Sequence, residues 1–405
     1  MSERYIKRNH DRVLCLYLML AIYPINNLIC SLCAFVQITP PNILVILYVT
    51  VLIYGCGVIL KYSFTRNDFL FLIIIYLGYF MLYLLSTDEA KIEMQSVYMI
   101  IVYMYFVPLS VIVLSHIENF AELFCKRYVI MSDLLVIMSI ISKVLLNDQT
   151  DYMVFSYDLL PMWGIILFSA INYHKKKQWL IVIMILVEAL IFGSRGALLW
   201  LLACGMLIYF IGLIKLKNLK QFMSKMIYLP LIAIIAVMAI IVIVPQLLQS
   251  RFADSSYILL RMSMGSLSES NARIELLQIC FNELRNMGLN INGLYYDRTI
   301  LPSGMYTHNI FIEVLLSFGW ILGTLFLLFI FKKIFNAFKL QTYEGKAICA
   351  YFVSTLFFRY FISGSIFGEG KFIMFIAIII ALNKYTQAES GIQTELFNNR
   401  GVRYE

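Results

Sequence analysis

The chain has 405 residues, of which 61% are hydrophobic and only 14% charged, against about 25% charged in an ordinary soluble domain. With a mean hydropathy of +0.82, it has too little charge to cover its apolar surface in water. A soluble enzyme, a disulfide-stapled secreted domain, a disordered regulator and a nucleic-acid binder are excluded. The net charge of +8 instead suits a membrane protein with basic residues gathered in its cytoplasmic loops. Most of the eight cysteines lie in apolar runs, where Cys behaves as a small hydrophobe. Cys30 and Cys33 have CxxC spacing but no second pair and no adjacent His, so they read as packing rather than zinc ligands.

One crossing takes about 20 apolar residues. In chain order, the apolar runs predict spans at 13–36, 42–60, 68–86, 96–115, 128–146, 153–171, 178–193, 196–214, 226–248, 308–331, 346–364 and 372–383. The opening MSERYIKRNHDR resembles a signal-peptide n-region. The run from Val13 is longer than a signal and lacks an Ala-x-Ala site, so it reads as an uncleaved first span. The fold class is therefore an all-α polytopic membrane protein of about twelve helices. Residues 1–248 form the first nine spans, 249–307 a long loop with short helices, 308–383 the last three spans and 384–405 a tail.

Lys and Arg set the orientation. With the N-terminus inside, the inner segments hold Arg4, Lys7, Arg8 and Arg12, then Lys61 and Arg66, then Lys126 and Arg127, with the Lys175–Lys177 run and further lysines after 214, 331 and 383. Short outer loops are acidic or neutral. The long loop 249–307 then faces outward. It carries Arg251, Arg261, Arg273, Arg285 and Arg298 but no Lys. Long loops translocate regardless of charge. Arginine without lysine also suits a grip on phosphate or carboxylate, which the guanidinium fork binds bidentately.

Three stretches carry candidate chemistry. In the first, Arg195 stands in Gly193-Ser194-Arg195-Gly196 between two apolar runs. A charge at that depth is a functional hypothesis by default, and with Ser194 it sits at a helix N-terminus suited to an anion. The competing reading is an interfacial arginine that snorkels or pairs with Glu188. In the second, residues 271–285 form an amphipathic helix with Ile274, Leu277, Phe281 and Leu284 on its apolar face and Asn271 as N-cap. Arg273 then lies in the first turn, where a cation opposes the dipole unless an anion binds there. A salt bridge to Glu269 or Asp254 is the alternative.

The third stretch begins with His308, at the re-entry into the membrane. In a continuous helix Gly319, three turns on, shares its face. Gly319 and Gly323 form a small-xxx-small pair, and Asn309 and Glu313 are i, i+4 neighbours able to hydrogen-bond. His308 suits proton transfer near neutral pH; a polar rim residue is the plain alternative. No outward DxD pair, acidic cluster or P-loop occurs, so neither a metal nor another cofactor is expected.

GSRGALL at 193–199, SNARIELL at 270–277 and HNIFIEVLLSFGWILG at 308–323, in that order around one long loop, resemble the O-antigen ligase/polymerase superfamily, and within it polymerases of the Wzy type. The resemblance covers residues from about 178 to 385. It implies a bundle similar to the C-type glycosyltransferases and glycosyl transfer at the periplasmic face, building O-antigen or capsular polysaccharide. Donor and acceptor would be undecaprenyl-diphosphate-linked glycans, and a chain-length regulator is the further protein partner left open. By motif position, Arg195 and Arg273 would stabilise the departing diphosphate and His308 would act as general base or orient the acceptor hydroxyl, with Ser194, Arg298, Asn309 and Glu313 contacting substrate. A ligase using lipid A core as acceptor and a lipid-linked oligosaccharide flippase are the alternatives.

Overall fold

The computed structural model describes residues 3–38, 42–62, 64–145, 152–173, 176–191, 194–214, 271–302, 305–340, 342–367 and 370–384. These residues are helical with short connections, and no strand occurs among them. Six of their helices are long and apolar enough to cross a membrane: Ile6–Phe35, Ile43–Tyr62, Arg66–Leu85, Met153–Asn172, Gly196–Ile214 and Ile310–Lys339. Large apolar side chains such as Leu60 and Ile214 project outward from the bundle, as a lipid-facing surface requires. The expected span at 226–248, the 249–270 part of the long loop and the 385–405 tail lie outside the described residues.

Helix α1 (Glu3–Phe35) begins ten residues before the apolar run. Its first turns are tied down at one end of the bundle, called here the near end. There Asn9 Oδ1 accepts the backbone N–H groups of Glu118 (3.0 Å) and Asn119 (3.1 Å), and Arg12 donates to His116 O at 2.7 Å. Helix α2 (Ile43–Tyr62) returns alongside, and α3 (Arg66–Leu85) opens with a capping box in which Thr65 and Asp68 satisfy each other's backbone N–H. The interior is dominated by α7 (Tyr152–Asn172), which follows α4 (Asp88–Met94), α5 (97–115) and α6 (Lys126–Leu145) in the chain. Trp163 and Phe168 of α7 are fully buried, and Phe168 stacks on Phe124 with centroids 3.8 Å apart.

Helix α7 touches α9 (Arg195–Ile214), which follows α8 (Lys176–Ile191). It also packs against the helix beginning Tyr343–Phe352. At that second contact a Cβ on Gly164 would stand 2.7 Å from Thr355 and Tyr351 side-chain atoms, so only glycine permits the approach. Two π-helical turns interrupt the pattern, Ile101–Phe106 and Val353–Phe357. Such turns shift register locally and favour functional regions.

At the far end lies a second layer. Helix α10 (Asn271–Asn286) and the short α11 (Tyr296–Ile300) pack on α12 (Ile310–Leu340). Helix α12 is broken at Gly319, whose φ of 73° and ψ of 173° are non-helical. Residues 310–318 thus belong to the outer layer, with Ile312 and Leu316 sharing a small core with Leu276, Cys280, Leu284 and Met287. The 20 or so residues after the break are enough to cross a bilayer. The break's carbonyls are satisfied by a turn from the preceding segment. Asn292 N and Gly293 N donate to Ser317 O at 3.2 and 3.0 Å, and Asn292 Nδ2 donates to Leu316 O at 3.1 Å.

Two expectations are corrected here. Helix α10 forms where expected but presents Leu276, Cys280 and Leu284 to the core, while Ile274 and Phe281 are about half exposed. Its sequence carries two apolar stripes, and the one matching Ile312 and Leu316 docks. Gly319 does not share a helical face with His308, because His308 precedes the helix and the helix breaks at Gly319. Gly319 faces Asn290 O, and Gly323 faces the Val314 carbonyl of the preceding half-helix. The glycine pair therefore allows a fold-back rather than the contact with another helix that its spacing suggests.

Candidate functional site

The first stretch behaves as a helix start. Ser194 Oγ accepts Ala197 N at 3.1 Å, which makes Ser194 the N-cap of α9 with Arg195 as its first residue. Ser194 N in turn donates to Ser156 Oγ of α7 at 2.8 Å, fixing where the helix begins. A Cβ on Gly196 would collide with the Tyr157 hydroxyl, so this glycine gives α7 room at the turn. The Arg195 side chain lies outside the described atoms, so neither the anion-site reading nor the Glu188 pairing is decided for it. Glu188 is buried in α8.

Tyr157 leads to a residue the motifs did not single out. The Arg359 guanidinium lies over the Tyr157 ring at 4.9 Å and faces the Tyr360 ring at 5.5 Å, and the residue is 5% exposed. It sits in the 3-10 turn Phe358–Phe361 that ends the helix begun at Tyr343. Residues 362–367 that follow are non-helical, and a further helix covers 371–384. Gly364, at φ 85°, brings its backbone against the Arg359 guanidinium.

This 358–367 segment also receives the second layer. Tyr295 OH donates to Phe367 O at 2.5 Å, with Tyr295 itself in the left-handed region at φ 59°. Arg298 stacks on the Tyr295 ring at 4.4 Å. Asp297 is 1% exposed and accepts Thr307 N at 3.0 Å, and burial pushes its carboxyl above the usual carboxylate range. His308 is left-handed at φ 53°, and its ring tilts onto Tyr306 with centroids 3.9 Å apart.

Asn309 Oδ1 caps α12 by accepting Phe311 N (3.0 Å) and Ile312 N (3.3 Å), while its amide donates to Phe361 O at 3.3 Å. Glu313, also 1% exposed, accepts the Ser365 hydroxyl and the Ile366 N–H, the latter at 3.0 Å. The expected Asn309–Glu313 side-chain bond is thus replaced. The Asn309 side chain is taken by the helix cap and Glu313 reaches the 365–366 turn.

The structure therefore brings Arg298, His308, Asn309 and Glu313 together. It links them through residues 358–367 to the Ser194–Gly196 helix start, where the Ile362 side chain abuts Gly196. The backbone of Arg273 lies in the first turn of α10, at the same end, with its side chain outside the described atoms. Beside this cluster sits an ion pair that sequence reading missed. Lys371 Nζ lies 2.8 Å from Asp158 Oδ1, with the residues 3% and 4% exposed. Asn27 Nδ2 donates to Asp158 Oδ2 at 3.2 Å, and Lys371 stands 4.2 Å from the Tyr23 ring centroid. The available signal was an Asp inside the predicted span 153–171, far from its partner in sequence.

Among the described residues, no three His, Cys, Asp or Glu side chains group as metal ligands. The arrangement offers chemistry of another kind: arginine for anions, an imidazole and two carboxyl groups for protons, all beside an apolar bundle. Compared with family models, curated proteins and solved structures, the chain matches none.

Proposed function

We propose that this chain is a metal-independent glycosyltransferase of the bacterial inner membrane. It polymerises undecaprenyl-diphosphate-linked repeat units into O-antigen or capsular polysaccharide at the periplasmic face, with about twelve spans. The resemblance of the 193–199, 270–277 and 308–323 stretches motivates this reading. The observation that carries it is geometric: elements widely separated in sequence meet at one end of a lipid-facing bundle and present arginine and histidine there. A lipid carrier keeps its chain in the bilayer and its diphosphate at the surface, so a site at the end of the bundle suits it.

In this scheme a sugar hydroxyl of the acceptor repeat attacks the anomeric carbon of the donor glycan. The new C–O bond forms as the bond to the diphosphate breaks. Undecaprenyl diphosphate leaves, and the hydroxyl proton passes to His308. Arg195 and Arg273 offset the charge that develops on the diphosphate, and Arg298, Ser194, Asn309 and Glu313 contact the substrate.

Purified protein given lipid-linked repeats should produce a polymer ladder in detergent. Arg195→Ala, Arg273→Ala and His308→Ala, each purified in folded form, should abolish it. Full-length ladders from all three variants would overturn the assigned roles. Transfer to lipid A core without polymer growth would identify a ligase. Movement of lipid-linked oligosaccharide across vesicles without bond formation would identify a flippase.

A further inference from the structure

Asp297 has no part in the scheme above, and its position gives it one. Thr307, whose N–H it accepts at 3.0 Å, directly precedes His308. His308 has φ 53°, a conformation that residues with a Cβ seldom adopt. Backbone strain of this kind persists only where the surroundings impose it. Three contacts impose it here. Asp297 holds the Thr307 peptide, Thr307 Oγ1 donates to Asn309 O at 3.3 Å, and Asn309 is locked as the cap of α12. Of these, Asp297 is the one reaching in from another element, and that element is anchored by Tyr295 to Phe367 O.

We propose that Asp297 is the positioning residue of His308: its carboxyl group fixes the Thr307 peptide and so sets the orientation of the imidazole. The proposal rests on the reading of His308 as the base. The Oδ1 atom of Asp297 has no hydrogen-bond partner among the described residues. Accepting the Thr307 N–H needs only a carbonyl oxygen, which an amide also supplies. Asp297→Asn therefore keeps the clamp, and Asp297→Ala removes it.

The test uses the full-length protein in detergent with lipid-linked repeats, together with NMR of 15N-labelled histidine. The chain has four His, so the His308 signal is identified by its loss in His308→Ala. Asp297→Ala should lower kcat by on the order of 10–100-fold, as misplacement of a catalytic group does, leave KM unchanged, and move the His308 signal. Asp297→Asn should keep both the rate and the signal. An unchanged kcat and signal in Asp297→Ala, or an Asp297→Asn variant as impaired as Asp297→Ala, overturns the proposal. If Asp297→Ala fails to fold, Asp297→Glu takes its place: it shifts the oxygen by one methylene, and an unmoved signal with an unchanged rate again overturns the proposal. Full activity in His308→Ala sinks the reading of His308 as base, whereas the His308 signal in the Asp297 variants still decides the positioning.

Discussion

Replacing Gly319 with alanine separates a straight helix from a broken one by the sign of the effect. In a straight helix, Gly→Ala stabilises by about 0.5–1 kcal/mol, because alanine loses less backbone freedom on folding. At Gly319 the backbone has φ 73° and ψ 173°, and an added Cβ would stand 2.6 Å from Asn290 O. That conformation costs a residue with a side chain about 1–3 kcal/mol. The colliding atom is backbone, so the 290–293 turn must shift and strain its two bonds to Ser317 O, each worth about 1 kcal/mol. The expected loss is therefore roughly 3–5 kcal/mol, confined to the docking of the outer layer. Hydrogen exchange in detergent micelles should show Asn292 and Gly293 exchanging faster in Gly319→Ala. Gly57→Ala and Gly78→Ala serve as controls, because a Cβ at either meets nothing within 4 Å. A Gly319→Ala protein with unchanged protection at 292–293 and a raised melting temperature would refute the broken helix.

Asp158→Ala leaves the Lys371 ammonium in the bundle without its counter-ion and should destabilise by about 3–5 kcal/mol, read as a fall in melting temperature. The double variant Asp158→Leu with Lys371→Met should recover most of that loss, and a double variant worse than either single change would show that the pair is not the relevant unit. Gly196→Ala should impair folding through its collision with the Tyr157 hydroxyl, and Tyr157→Phe should partly restore it by removing the colliding atom. Melting curves of the two single variants and the double variant decide this, and absence of any restoration would place the cause elsewhere.

Much of the helical layout was readable because a membrane helix is a run of about 20 apolar residues and polar punctuation marks its ends. Ser194 as a cap was readable for a similar local reason: a small hydroxyl residue stands just before an apolar run. What escaped depends on partners far apart in sequence. Asp158 looks like an isolated charge until Lys371 is brought beside it. Arg359 looks like a span-end cation until Tyr157 and Tyr360 close on it. The exposed stripe of α10 escaped because Ile274 and Phe281 are as apolar as the residues that dock, so periodicity could not choose between two faces. Gly319 is ambiguous because a glycine in an apolar run fits both a close helix contact and a break. The left-handed backbone at Tyr295 has no composition signal, since tyrosine is not enriched in that region, and the enrichment of histidine there is too weak to mark His308.

The segment joining the two halves of the cluster is held largely through its main chain. Asn309 binds the carbonyl of Phe361, Glu313 the N–H of Ile366, and Tyr295 the carbonyl of Phe367. Side chains at 361, 366 and 367 can therefore change during evolution without releasing these anchors. What selection must preserve is the path of the backbone, above all the φ of 85° at Gly364. A region of this kind diverges in sequence while keeping its shape, so relatives of this chain would be expected to share the turn and its glycine far more than the residues around them.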